Sequence, residues 1–416
     1  MPRKLCTVAF FNPFRPGYAD DPYPILARLR AEEPVHWSVD LGGWVLTRYE
    51  DCLKAVQDDD HFSSDPAHAT GKLGDDIRER RAAVPLGSAP ILGNSDPPGH
   101  TRLRSLVNRA FIPAAMAAMR PTVENVVDQL MGSVGESAPW DAVPGLCEPL
   151  AVTTVLAHLG IPQDGWHSFR QWAIALMMTR SEQGMQPAVV RNAELARAAM
   201  LDYLARVAER REVADEDLSP KDVLGALLGA MDSEQITADE MLMTLIHISM
   251  AGNGPLAMEI SNAIAALASH PDVRVRIADD PEIVPAAVEE LTRWDSATQY
   301  VARWATSDVP IGKRTIRKGQ KVYAMIGAAN RDPERFPDPD RIDLDRTNNR
   351  HLSFGMGIHF CLGTPLARVQ LEVVTRRIAE RWGAFEVVRA ERGGNLQVRG
   401  FGKLEILAHA PNQCGG

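Results

Sequence analysis

The chain is short of cysteine, aromatic residues and positive charge. Of its 416 residues, five are cysteine and 6% are Phe, Trp or Tyr, and the formal net charge is −9. Cys6, Cys52, Cys147, Cys361 and Cys414 are scattered and odd in number, without disulfide or zinc spacing. That pattern suits a reducing cytoplasm rather than a disulfide framework. The acidic balance argues against general nucleic-acid binding. No run of about 20 apolar residues exists, so no membrane span is predicted. Leu5 to Phe11 is too short for a secretory signal and is interrupted at Asn12-Pro13. No Gly-x-Gly-x-x-Gly follows a predicted strand, so neither a nicotinamide nor a flavin site is expected. Internal repeats and low-complexity tracts are also lacking.

The most informative stretch is His351-Leu352-Ser353-Phe354-Gly355-Met356-Gly357-Ile358-His359-Phe360-Cys361-Leu362-Gly363. One cysteine ends a loop punctuated by glycines. Pro365 to Trp382 then reads as a helix, with Leu366, Val369, Leu371, Val373, Val374 and Ile378 available for burial. The glycines let the backbone pass close to something flat and bulky. Backbone amides and a helix start favour negative charge on a nearby sulfur. A thiolate held this way is a strong axial ligand for haem iron. Two other readings compete. A free cysteine is often a small buried hydrophobe. Alternatively, His351, His359 and Cys361 could ligate zinc, although a fourth ligand at the usual spacing is missing.

The loop resembles the cysteine-ligand loop of the cytochrome P450 family, Phe-Gly-x-Gly-x-His-x-Cys-x-Gly. Phe354, Gly355, Gly357, His359, Cys361 and Gly363 all match. The resemblance implies a mainly α fold with a small β region, a long central helix over a haem and the cysteine loop beneath. It implies one domain over residues 1–416, with an N-terminal arm to Phe14 and a frayed tail from Pro411 to Gly416. The implied cofactor is haem b, with Cys361 as the iron ligand. The implied activity is monooxygenation: one oxygen atom from O2 enters a hydrophobic small molecule such as a terpenoid, polyketide or aromatic natural product. Electrons would come from a separate ferredoxin and ferredoxin reductase, and Arg368, Arg376 and Arg377 are candidates for a basic docking patch.

Other motifs follow in family order. Asp96 to Arg104 opens a helix on which His100 and Arg104, four apart, share a face. The resemblance assigns them, with Arg303 and His351, to the haem propionates. Glu290 and Arg293 match Glu-x-x-Arg, and Arg346 sits where the family supplies a third partner; the three are expected to form a structural triad. Thr237 and Glu240 form a capping box before the longest helical signal, Thr237 to Ser269, apolar nearly all round. Its middle is Ala251-Gly252-Asn253-Gly254-Pro255, where the family places its oxygen-binding kink and usually reads Ala-Gly-x-Asp/Glu-Thr. Ala251 and Gly252 match; Gly254 and Pro255 replace the acid and the alcohol. Proline removes a donor and is expected to loosen the turn upstream. Protons would then come from water, from Asn253 or from a substrate hydroxyl. Alternatively the chemistry is atypical, peroxide-driven or an oxidative coupling. A non-catalytic haem protein would also keep Cys361.

Elsewhere the pattern predicts a short helix at Tyr23 to Glu32, strands at Val35 to Trp37 and Trp44 to Thr47, and an irregular stretch from Phe62 to Pro98 with one charged helical patch at Asp75 to Arg81, which the resemblance implies roofs the substrate pocket. The apolar stripe Trp166, Phe169, Trp172, Leu176 and Met177 reads first as core. The family places an access lid there, so part of it is expected to face substrate, with Arg180 or Glu182 as an ionic option. Ala208 to Asp222 reads as a surface loop. Ala297, Thr298, Gln299 and Tyr300 are expected over the haem. Near the end, Glu386 to Val388 and Leu404 to Ala408 read as strands, and Gly393 to Gly400 as a hairpin tip near ligand.

Overall fold

The axis of the fold is the helix Ala238–Ser269, 32 residues long. The computed structural model describes residues 11–83, 86, 89–132, 134, 138–178, 186–214, 222–382 and 384–409. The predicted capping box forms: Thr237 Oγ1 accepts from the Glu240 N–H at 3.2 Å, and the Thr237 N–H donates to Glu240 Oε2 at 3.1 Å. Leu245, Ile246, Ile260, Ile264 and Leu267 are all buried, as a helix apolar all round requires. Helix Glu148–Leu159 lies against it at Gly252, where an added Cβ would come 2.9 Å from Val155 Cγ2. The axis runs unbroken through Pro255, so the expected loosening does not break the rod. Ile248, Ser249, Leu256 and Ala257, buried in the turns on either side, hold it where one internal donor is missing.

A five-stranded sheet stands beside the helices in the order Val35–Ser38, Gly43–Leu46, Lys321–Ala324, Val301–Ala305, Phe62–Ser63. Only the pairing of Gly43–Leu46 with Lys321–Ala324 is parallel. A second sheet pairs Arg399–His409 with both Trp140–Asp141 and Ala384–Gly394. Its two long strands have 11 residues each, longer than the sequence pattern suggests. Arg389, Glu391 and Arg392 carry no apolar alternation, so backbone pairing alone extends the ladder there.

Other boundaries also move. Helix Pro187–Ala214 extends past Arg210 into the stretch expected to be a loop, and residues 215–221 lie outside the described residues. The helical patch expected at Asp75 to Arg81 is part of a longer helix, Gly71–Ala83. Of the expected N-terminal arm, residues 1–10 are outside the described residues. Phe11 is not loose: it is buried edge-on against Tyr18 and His36. The expected frayed tail, 411–416, is outside the described residues. Among the described residues no helix is long and apolar enough to cross a membrane.

Helix Val284–Trp294 carries the buried ion cluster. Glu290 receives Arg293 Nε at 2.8 Å and Arg293 Nη2 at 2.7 Å. Arg346 Nε lies 3.1 Å from both its oxygens. The Asp343 N–H and Asn349 Nδ2 donate as well, at 2.9 and 3.1 Å. Side-chain exposure is 0% for Arg293 and 1% for Glu290. Arg293 also donates to the carbonyls of Asn330, Pro339 and Arg341, so the segment leading to Cys361 is anchored on it. Removing the acid would leave two guanidiniums without their counter-charge in a dry site. Glu290→Ala is expected to cost about 3–5 kcal/mol in denaturant unfolding, far more than Glu282→Ala on the exposed turn before the same helix.

Candidate active site

A cavity of about 870 Å³ lies between the central helix and the cysteine loop. Phe354, Gly355, His359, Cys361 and Gly363 form one part of its wall, and Ala251, Gly252, Pro255 and Leu256 another. The loop takes its shape from left-handed backbone at Gly355 (φ +69°) and Gly357 (φ +71°). At Gly357 an added Cβ would sit 3.1 Å from Gln57 Cα, so the loop packs directly on helix Tyr49–Gln57. The Cys361 N–H donates to the Phe354 carbonyl at 2.8 Å and closes the loop. Helix Thr364–Arg381 starts three residues later, and Thr364 Oγ1 donates to the Cys361 carbonyl at 2.9 Å.

The sulfur thus sits at the positive end of an 18-residue helix, open to the cavity. Cys52 and Cys147 are buried, and burial pushes both thiols well above their ordinary pKa. The buried-hydrophobe reading therefore fits those two and not Cys361. Among the described residues no group of three His, Cys, Asp or Glu could hold a metal ion, which leaves the zinc reading without a site.

Cationic groups collect on the same cavity. Arg104, Arg303 and His359 line it. Arg303 is 9% exposed and donates to the Ala302 carbonyl at 2.9 Å. Burial lowers its pKa to about 10. Asp96, the acid that acts on it, accepts instead from Ser63 Oγ and the Ser64 N–H. The rings of His100 and His359 lie 4.3 Å apart, and neither Nε2 has a hydrogen-bond partner. Burial, then Arg303, His100 and Arg104, push the His359 pKa down to about 3. Such crowding of like charge around orphaned ring nitrogens calls for an anionic ligand. Haem fits it: a flat group over the glycine loop, an open sulfur for the iron, and donors for two propionates.

The cytochrome P450 family model matches residues 279–387. Nocardicin C N-oxygenase of Nocardia uniformis subsp. tsuyamanensis is 36% identical over 377 residues, covering 89% of this chain and 90% of that protein. Mycinamicin IV hydroxylase/epoxidase of Micromonospora griseorubida is 37% identical over 344 residues, 81% of each. The crystal structure of CalO2 superposes with a TM-score of 0.88 at 28% identity, covering 97% of this chain and 100% of that one. The chain belongs to the cytochrome P450 family. The fold is the P450 fold, and the enzyme is a haem-thiolate monooxygenase, an oxidoreductase.

Within this P450 the structure separates the expected site residues. His351 is not on the cavity wall: its Nδ1 accepts from the Ser353 N–H at 3.2 Å, and its Nε2 lies 3.4 Å from Glu289 Oε2 without hydrogen-bond geometry. His359, not His351, is the loop histidine that reaches the cavity. On the central helix only Ala251, Gly252 and Pro255 of the five expected positions line the wall. Asn253 is turned about 200° from Ala251 at 100° per residue. It is 6% exposed, and both its amide atoms lack partners. Gly254 is likewise off the wall.

Ala297 and Thr298 line the cavity, but Gln299 and Tyr300 do not. Gln299 Nε2 donates to the Ser296 carbonyl at 2.7 Å, and Tyr300 packs edge-on to Tyr323. No described residue of the stripe Trp166 to Leu176 reaches the cavity; Phe169 is fully buried against Trp172 and Tyr203. The core reading of that stripe holds. The Met177 side chain, Arg180 and Glu182 lie outside the described residues. Arg368 grips Glu289 through two 2.8 Å bonds, and Arg377 is tied to Asp128, so neither is a free docking charge. Glu259, Arg197 and His158 line the cavity unforeseen, and Gln397, in the hairpin tip expected near ligand, lines it as well. Only Glu259 had a legible signal, a position eight residues after Ala251 and so on the same helix face. Reduced, haem-loaded protein should bind carbon monoxide with the strongly red-shifted Soret band of sulfur ligation. Cys361→Ser should lose that band, whereas Cys52→Ser should keep it.

Proposed function

We propose that this enzyme inserts one oxygen atom from O2 into a hydrophobic natural product of the terpenoid, polyketide or aromatic kind, with electrons from a ferredoxin and its reductase. The apolar wall above Cys361 carries this reading. Ile91, Leu92, Phe111, Ile248, Leu256 and Val301 contribute to it, and they favour an occupant with little charge. Relatives named for nocardicin C and mycinamicin IV support a natural product as substrate. The cofactor is non-covalent haem b, and the compartment is the cytoplasm.

Haem held by Cys361 supplies the reduction of O2 and the insertion of one of its atoms into a C–H or C=C bond. Per turnover, substrate, O2, two electrons and two protons become oxygenated product and water. The chain does the rest. Cys361 would tune the iron, and Arg104, Arg303 and His359 would hold the propionates, with His100, off the cavity wall, packed against the His359 ring; the apolar residues set which carbon faces the reacting centre. No nicotinamide or flavin motif is present, so separate redox proteins must deliver the electrons.

Titrating the haem-loaded enzyme with a macrolide, a sesquiterpene and an aromatic amide should give, for at least one, the optical shift that reports water leaving the cofactor. Ile248→Asp should weaken that shift at least about tenfold by placing a charge in the apolar wall, with the carbon monoxide band intact. No shift with any apolar compound, but a shift with a small polar acid, would overturn the substrate class. The Gly254-Pro255 replacement favours a second reading, peroxide-driven or coupling chemistry. Turnover with hydrogen peroxide alone, at a rate matching ferredoxin-supported turnover, would select it; dependence on ferredoxin and O2 would dismiss it.

A further inference from the structure

The central helix presents one stripe to the cavity: Met243, His247, Ala251, Pro255 and Glu259, each four residues after the last. Four residues advance about 6 Å. The stripe crosses the place where the family's acid and alcohol would stand and ends, one turn later, in a carboxyl group.

Glu259 is unusual among the acids on this side of the molecule. Glu290 faces two arginines, Glu289 faces Arg368, and Asp295 pairs with Arg399 and Arg392. The charged groups that act on Glu259 are Asp295 and Glu289, both negative. It is 9% exposed. Its Oε2 accepts from the Ala297 N–H at 2.7 Å, and Thr292 is a second hydrogen-bond partner. Burial above all pushes its pKa up to about 8, against the pull of the Ala297 N–H and with Asp295 adding to the rise. At neutral pH the group is therefore a neutral acid that still holds its proton. A buried acid of this kind beside an apolar cavity costs stability and is found where a proton is used.

Pro255 adds a second feature. It has no N–H, so the Ala251 carbonyl loses its usual partner in the helix. Ala251 is exposed to the cavity. An acceptor without its helical donor and a protonated carboxyl thus flank Pro255 on one face. Side chains in a helix lean toward its N-terminus, which brings Glu259 toward the Pro255 level.

We propose that Glu259 is the proton donor to the distal side of the haem cavity, replacing the acid–alcohol pair that Gly254-Pro255 removes. The inference rests on the monooxygenase reading above. Its O–H bond breaks to give a proton to cavity water, which carries it to the haem face as O2 is reduced. The carboxylate left behind takes a proton back from solvent before the next turnover, so the chain gains and loses none overall. The electrons are those of the redox partners already named.

Glu259→Gln keeps the acceptor for the Ala297 N–H and removes the acid. Infrared spectra of the holoenzyme at neutral pH should show the carbonyl stretch of a protonated carboxyl in the native protein and lack it in Glu259→Gln. With 7-ethoxycoumarin as probe and a ferredoxin system, product formed per reductant should fall about tenfold or more in Glu259→Gln. Peroxide release should rise, while the carbon monoxide band and the probe's optical shift stay unchanged. Glu259→Asp should recover part of the coupling. Absence of the infrared band from the native protein overturns the proposal without any turnover. So does unchanged coupling in Glu259→Gln, or loss of the probe's optical shift, which would make Glu259 a substrate contact. A native protein without the red-shifted carbon monoxide band would instead strike at the monooxygenase reading.

Discussion

A single buried carboxylate holds the proximal half of this molecule in register. Glu290 has left water entirely, and an uncompensated charge there would be costly. Arg293, Arg346, Asn349 and the Asp343 N–H all converge on it, and Arg293 spends its remaining donors on three carbonyls of the segment before the cysteine loop. The loop itself is tied back to the same helix. Asn330 donates to Ser353 Oγ, Ser353 Oγ donates to the Thr292 carbonyl, and the Leu352 N–H donates to Asn330 Oδ1. Cys361 can therefore face an open cavity without the loop collapsing into it.

Charge balance divides the cavity into two regions. At the cysteine side cations gather with orphaned donors, which suits the propionates of a haem. On the central helix side Glu259, the one acid among the described residues that line the cavity, has its pKa raised by its own burial and by negative neighbours. Both departures from ordinary titration follow from the same cause, loss of water around an ionisable group. In the first a ligand's charge provides relief; in the second the proton itself does.

The Gly254-Pro255 replacement shows how one local change passes along a helix. Removing a backbone donor did not break the rod, because buried apolar residues in the turns on either side outweigh one hydrogen bond. What changed is the chemistry of the cavity wall: a hydroxyl and an acid are gone, and a carbonyl has lost its helical partner.

The sequence by itself determined the fold family, the glycine-punctuated cysteine loop and the Glu290–Arg293 pair. Each rests on residues close together in the chain or on a fixed helical spacing: Phe354 to Gly363, and Glu290 with Arg293. It also determined the long central helix, whose cap and apolar girth are local properties. Tertiary structure alone decided which of two candidate histidines reaches the cavity. His351 and His359 share one loop, but Ser353 and Glu289 hold the first elsewhere, and sequence spacing carries no information about such partners. It also decided that Asn253 and Gln299 turn away from the cavity, and that the Trp166 to Leu176 stripe packs as core, because apolar residues look alike whether they meet a ligand or a neighbouring helix. The role argued for Glu259 needed both levels. Its place on the cavity face is written in a four-residue spacing, whereas the rise in its pKa comes from burial first, with Asp295 and Glu289 adding to it.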